Sequence, residues 1–134
     1  MAGYSQTPLP QKLGIKPGHR VALIGPPEGF RQTLGELPES AALHTALEDA
    51  EPFDVILYFT DSASEVAGQF AALTRRLAPS GGLWVAWPKK ASGVATDLTE
   101  DIVRRAGLAH GLVDYKVCAI DATWSGLKFA RRRS

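Results

Sequence analysis

Apolar residues along this chain fall into short blocks of two different periods, and the two kinds of block alternate. Residues 20–25 and 54–60 are near-continuous apolar runs bounded by turn residues, the pattern of strands covered on both faces. Residues 83–87, Leu-Trp-Val-Ala-Trp, form a third run, preceded by a Ser80-Gly81-Gly82 turn and ended by Pro88. Helical spacing separates them. Phe30, Leu34 and Leu37 mark one face of residues 28–37, which Pro38 stops. Val66, Phe70, Leu73 and Leu77 mark a longer helix, opened by a Ser62/Glu65 capping box and closed by Pro79. Asp97 and Glu100 repeat the capping-box spacing for a helix through about His110, where Gly111 terminates it. Residues 41–47 read as a weaker second strand. Residues 112–120 and 127–130 read as a closing hairpin around a turn at 121–126. Strands and helices in alternation, joined by right-handed crossovers, predict an α/β fold. Its sheet is mostly parallel, of about five or six strands, with a C-terminal antiparallel hairpin.

The ends of the chain differ from this middle. Residues 1–10 carry two prolines and few apolar side chains, so they are expected to form a flexible N-terminal arm, before a helical turn that ends at Leu13-Gly14. Lys16-Pro17-Gly18 then turns the chain into the first strand. Residues 11–130 are expected to form a single domain and residues 131–134 a basic tail. With 134 residues there is room for one core and none for separate cofactor and substrate domains. A net charge of +1 gives no global attraction to nucleic acid or an anionic membrane. Three arginines in a tail are usually solvated, and nucleic-acid binding is not expected without a wider basic patch or interleaved aromatic residues. The single cysteine, Cys118, excludes an internal disulfide framework and a cysteine-rich metal site, and sits in an apolar strand as a small hydrophobe. No apolar run approaches a membrane span and the start of the chain lacks a signal-peptide pattern, so a cytoplasmic protein without membrane contact is expected.

Four stretches carry a resemblance. Lys16-Pro-Gly-His-Arg-Val before the first loop, Phe53-Asp-Val-Ile-Leu in the middle strand, Leu77-Ala-Pro-Ser-Gly-Gly-Leu-Trp-Val before the next, and the terminal hairpin stand in the order of the class I S-adenosylmethionine-dependent methyltransferase fold, which the chain resembles over most of its length. Lys12-Leu-Gly-Ile-Lys-Pro-Gly18, residues 84–89 and Trp124-Ser-Gly-Leu-Lys128 are also similar to a family of small bacterial proteins of unknown function. The resemblance implies a reduced Rossmann-like domain. It also exposes departures. The methyltransferase loop reads Gly-x-Gly-x-Gly, so that backbone amides approach the methionine carboxylate of the cofactor, whereas Gly25-Pro26-Pro27-Glu28-Gly29 keeps only the outer glycines. Pro27 removes both a donor and room. The fold expects an acidic residue after its second strand to hold the ribose, for which Glu48 is the nearest candidate. Before Asp54 there is no room for the helix, strand and helix of a complete third unit.

In an open α/β sheet, ligands bind beyond the carboxyl ends of the parallel strands, where the strand order reverses. That rule nominates Gly25, Pro26, Glu28, Gly29, Asp61, Trp87, Lys89 and Lys90 as ligand-binding residues for a small anionic or nucleotide-like ligand. The helix starting near Glu28 is expected to lend N–H groups and its positive end, with Lys89 or Lys90 adding charge. The plain alternative is a tight strand-to-helix turn beside solvated lysines. Glu28 and Asp61 suit general acid–base work if they face a cleft, and Glu28 equally complements a helix dipole. Trp84 and Trp87 fit a core, with Trp87 also able to stack on a ring at the edge. His19, His44 and His110 show no metal-ligand spacing, and Ser92 and Thr96 no triad pattern. Residues 89–96 are small and flexible, suiting a loop that orders when a ligand binds. These readings favour a non-catalytic ligand-binding or regulatory domain, with no cofactor and no catalytic residue. The alternative is a minimal S-adenosylmethionine-dependent methyltransferase, and the second alternative a protein-interaction subunit or homodimer.

Overall fold

The computed structural model describes residues 7–47 and 51–132; the remainder of the expected N-terminal arm, Glu48 and the last two tail residues lie outside the described residues. The chain runs α1 (Leu9–Lys12), β1 (Arg20–Ile24), α2 (Phe30–Leu34), β2 (Ala42–His44), β3 (Phe53–Phe59), α3 (Ala63–Arg75), β4 (Leu77–Pro88), α4 (Glu100–Ala109), β5 (Leu112–Ala119) and β6 (Trp124–Arg131), with a 3-10 turn at Lys90–Ser92. These strands make one six-stranded sheet in the order β2-β1-β3-β4-β6-β5. The first four are parallel; β6 pairs antiparallel with both β4 and β5. The expected mixed α/β sheet with its terminal hairpin is present.

The apolar runs are covered on both faces, and the pleat sorts them. On β3, Ile56 and Tyr58 face one core while Val55, Leu57 and Phe59 face the other; on β4, Leu83, Val85 and Trp87 alternate with Trp84 and Ala86 in the same way. α3 and α4 close the first core with Val66, Phe70, Leu73 and Val103. The second core is closed by α1, α2 and their flanks, through Leu13, Ile15, Phe30 and Leu34. A hydrogen bond from Trp84 Nε1 to the Leu13 carbonyl (3.0 Å) fastens that layer to the sheet.

Several boundaries differ from expectation for local reasons. α1 begins at Leu9, inside the stretch read as an arm, and Pro10 is buried. α2 spans five residues rather than ten, because the chain leaves the helix at Gly35, and Leu37 reaches the core from outside it. Ser80-Gly81-Gly82 is no turn but part of β4. The register slips between Phe53↔Leu77 and Val55↔Gly82, and a Cβ on Gly81 would press on the carbonyls of Phe53 and Asp54. Ser62 caps α3 as expected, accepting from the Glu65 amide at 3.3 Å. α4 is capped two residues late, by Thr99 through the Ile102 amide (3.2 Å), because Asp97 is spent on the Ala63 amide at the start of α3 (2.8 Å). β6 starts at Trp124 because Asp121 closes the hairpin, accepting from the amides of Thr123 and Trp124 at 2.8 Å each. Arg131, read as tail, ends β6 and donates to the carbonyls of Thr74 (2.7 Å) and Leu77 (2.6 Å) at the end of α3 and the start of β4.

Candidate functional site

The strand order reverses direction between β1 and β3, so the carboxyl ends of those strands border the site that fold topology favours for a ligand. Ile24 pairs with Tyr58, which sets the two ends nearly level. Gly25 follows with φ of 64°, and a Cβ there would lie 3.0 Å from the Phe59 carbonyl, so the loop crosses closely over β3. Pro26, Glu28 and Gly29 are exposed. Gly29, with φ of 80°, leaves nothing within 4 Å of its missing Cβ. Pro27 contributes its carbonyl, which accepts from the Phe30 amide at 3.1 Å and starts α2. The expected dipole contribution shrinks with the helix, since five residues align few peptide units.

The end of β3 supplies the second lip. Thr60 is 6% exposed; its amide donates to the Ala86 carbonyl (3.0 Å) and its hydroxyl accepts from the Ser62 amide (3.2 Å). Asp61 is exposed, and its carbonyl accepts from the Thr96 hydroxyl at 2.6 Å. One step back, the buried Tyr58 hydroxyl donates to Glu65 Oε1 at 2.8 Å. Burial, then this bond to Glu65, raises the Tyr58 pKa well above the usual phenol range, so it stays a neutral donor. The sequence marked Glu65 only as half of a capping box, and the Tyr58–Glu65 and Asp61–Thr96 pairs left no local pattern to find.

The end of β4 supplies the third. Trp87 is 6% exposed and belongs to the core under α3 and α4, while Pro88 pairs with Trp124 on β6. The Lys89 amide donates to the Thr123 carbonyl (2.8 Å), and Lys90 opens the 3-10 turn in solvent. Residues 89–98 are tied more firmly than a free loop. Ser92 bonds the Lys89 carbonyl at 2.6 Å, and Thr96 and Asp97 hold the junction of β3 and α3. Lys90, Ala91 and residues 93–95 are exposed, Val94 being 45% exposed. Beneath the edge runs an aromatic row that sequence reading missed: Phe30 to Phe59 at 4.7 Å, and Phe59 to Trp124 at 5.1 Å, both edge-on.

The edge brings Gly25, Pro26, Glu28, Gly29 and Asp61 to neighbouring strand ends, places Lys89 and Lys90 beyond β4, and keeps Trp87 inside the core. Among the described residues no cluster of His, Cys, Asp or Glu could hold a metal ion. His19 accepts from the Lys16 amide, and His110 stacks on Phe70 at 5.3 Å. The edge fits a nucleoside-bearing cofactor in its open space at Gly29 and its close backbone crossing at Gly25; it lacks the amide that Pro27 cannot give.

No family model and no curated protein matches the chain. Solved structures do. Magnesium protoporphyrin IX methyltransferase from Synechocystis PCC 6803 with bound SAM superposes with a TM-score of 0.63 at 13% identity, covering 92% of this chain and 74% of that one. The same enzyme with bound SAH gives 0.59 at 12%, covering 87% and 75%. A SAM-dependent methyltransferase from Aquifex aeolicus gives 0.58 at 15%, covering 89% and 85%. At such identities the likeness is one of fold. It nevertheless overturns the preference for a non-catalytic domain with no cofactor, since chains of this architecture recur as SAM-dependent methyltransferases, one of them solved with SAM and with SAH bound. The chain has the Rossmann-like fold of the class I SAM-dependent methyltransferases.

Proposed function

We propose that this protein is a minimal SAM-dependent methyltransferase acting in the cytoplasm. The observation that carries the reading is the glycine-bounded loop 25–29 lying at the reversal of strand order, on a fold shared with a methyltransferase solved with bound SAM and with bound SAH. When bound, SAM supplies an electrophilic methyl group. The chain's own part is positioning. Gly25 brings the loop onto β3, and Gly29 keeps space open for the cofactor. Glu28 and Asp61 offer carboxylates from the two lips, Asp61 Oδ taking a proton from an acceptor as it is methylated. Lys89 and Lys90 favour an acceptor with an anionic group. The absence of a donor at Pro27 makes this a degenerate cofactor loop, and cofactor affinity is expected to be weak. The resemblance to small bacterial proteins of unknown function agrees with a short enzyme of this kind. No helix among the described residues is long and apolar enough to cross a membrane.

Titration calorimetry with SAM and SAH tests the reading. Saturable heat with both, lost in Gly29→Trp while the variant still melts cooperatively, supports it. Flat titrations with both ligands, and no thermal stabilisation at millimolar concentration, overturn it.

A further inference from the structure

α3 and α4 cover one face of the sheet out to β5, but on the other face the apolar cover past β4 is confined to Trp124, Cys118 and Ile120 at the hairpin end. Beyond Trp84, toward the other end of β5 and β6, that second face presents Lys128 and Lys116 side by side. Lys128 of β6 lies with its ammonium 5.8 Å from the Trp84 ring and 5.4 Å from the Tyr115 ring. A Cβ on Gly82 would collide with the Lys128 stem, and one on Gly14 would lie 3.2 Å from its Nζ, so both glycines make room for this side chain. Lys116 stands directly opposite Lys128 across β5 and β6. Lys12 reaches the same strand, donating to the Ala119 carbonyl at 3.3 Å. An open groove of about 740 Å³ runs alongside, lined by Gly81, Gly82, Val113, Tyr115, Lys128 and Arg132 among others.

Like charges directly opposite on neighbouring strands repel. Among the described residues, none of Lys12, Lys16, Lys116 and Lys128 forms an ion pair. Asp114, the acid nearest on β5, shares the register of Phe129 and is held by Arg104 at 2.9 Å on the opposite face. Lys128 holds its proton less tightly than a free lysine, first through burial and then through Lys116 and Lys16. Tyr115, the extra residue of a β-bulge between Asp114 and Lys116, is 68% exposed beside these cations.

We propose that this face docks single-stranded nucleic acid, with phosphates on Lys16, Lys116, Lys128 and Arg132 and a base stacked on Tyr115. A cation cluster alone would suit any polyanion. An exposed ring between unpaired lysines selects one that also carries planar groups, and a single strand presents its bases for stacking. The three segments Lys12 to Gly18, residues 84–89 and Trp124 to Lys128, far apart in the chain, meet here through Leu13, Trp84, Gly14 and Lys128. Trp84 lies four residues before Pro88 on β4, about 13 Å from the carboxyl edge, so the docking face is separate from the cofactor site and stands without it.

Fluorescence anisotropy of a labelled oligouridylate with the whole protein tests this, with an oligoglutamate peptide of equal charge as competitor. Binding should weaken steeply between roughly 50 and 200 mM salt. Tyr115→Ala should lower affinity about tenfold while Tyr115→Phe retains it. Lys116→Met and Lys128→Met should each reduce the salt slope by about 1. Because Tyr115 is exposed, an unchanged melting curve separates lost docking from lost folding. Absence of binding at low salt overturns the proposal. So does a Tyr115→Ala variant that binds as before, or displacement by oligoglutamate as effective as by unlabelled RNA, which would make the face a site for acidic peptides.

Discussion

Two neighbouring residues of β6 live in opposite worlds. Phe129 is fully buried against Phe70, ring centroids 5.4 Å apart and edge-on, beneath a helix that comes close because Gly107 has no side chain. Lys128, one position earlier, lies on the other face under no helix, with a tryptophan below it and solvent beyond. The pleat alone puts them on opposite sides, and the helices decide what that means. A face closed by α3 and α4 is committed to stability. The face left open past β4 keeps cations that contribute little to folding and are available to a ligand.

The comparison can be broken most severely from the closed side. Phe129→Ala should cost about 3–5 kcal/mol in urea unfolding, since α4 cannot collapse onto the space left behind. A loss under about 1 kcal/mol would mean that this core is loosely packed. Next come two glycines. Gly107→Ala should cost about 1–3 kcal/mol, because its methyl meets the buried Phe129 ring. Gly82→Ala should cost less than about 1 kcal/mol, because it meets only the flexible end of Lys128. Equal midpoints for the two variants would erase the distinction between the faces.

The smallest effect concerns Lys128 itself. Its folded pKa is depressed below the ordinary 10.5, so the unfolded chain binds its proton more tightly. Stability credited to the neutral amine is therefore present above about 10.5 and lost as pH falls through the folded value. Lys16, Lys116, Tyr115 and Cys118 are the titratable groups around it. Relative to Lys128→Met, the native protein should gain stability as pH rises from 7 toward 10, read as a difference in denaturation midpoint that shifts in its favour. Midpoints that keep a constant separation would place the ammonium in ordinary solvent.

The sequence made the sheet legible where side chains repeat a local period. β1 and β3 were readable because a strand buried on both faces is apolar beyond its first residues, and Ser62 because a cap acts within three residues. What it hid depends on partners far along the chain. Gly81 and Gly82 look like a turn until β3 and Lys128 are placed against them. Asp97 looks like a cap until the Ala63 amide claims it. At the candidate edge, topology and the glycine loop could be foreseen, while Glu65 under Tyr58 and Thr96 on Asp61 required the fold. The basic face was least legible, because its lysines come from residues 12, 16, 116 and 128 and only the β5–β6 register and the α1 docking unite them. The condition for nucleic-acid binding, a wider patch or interleaved aromatic residues, could be written from sequence; which residues come together on this face could not.

The position of β6 also has a consequence during synthesis. It is inserted between β4 and β5, and its final residue, Arg131, supplies donors to carbonyls at the end of α3 and the start of β4. As the chain leaves the ribosome, β5 emerges with no strand to join, and the flank of β4 stays unpaired until some 40 further residues have followed it. The nascent protein therefore carries an open sheet edge while those residues are made, and the sheet is completed late, when β6 enters the gap.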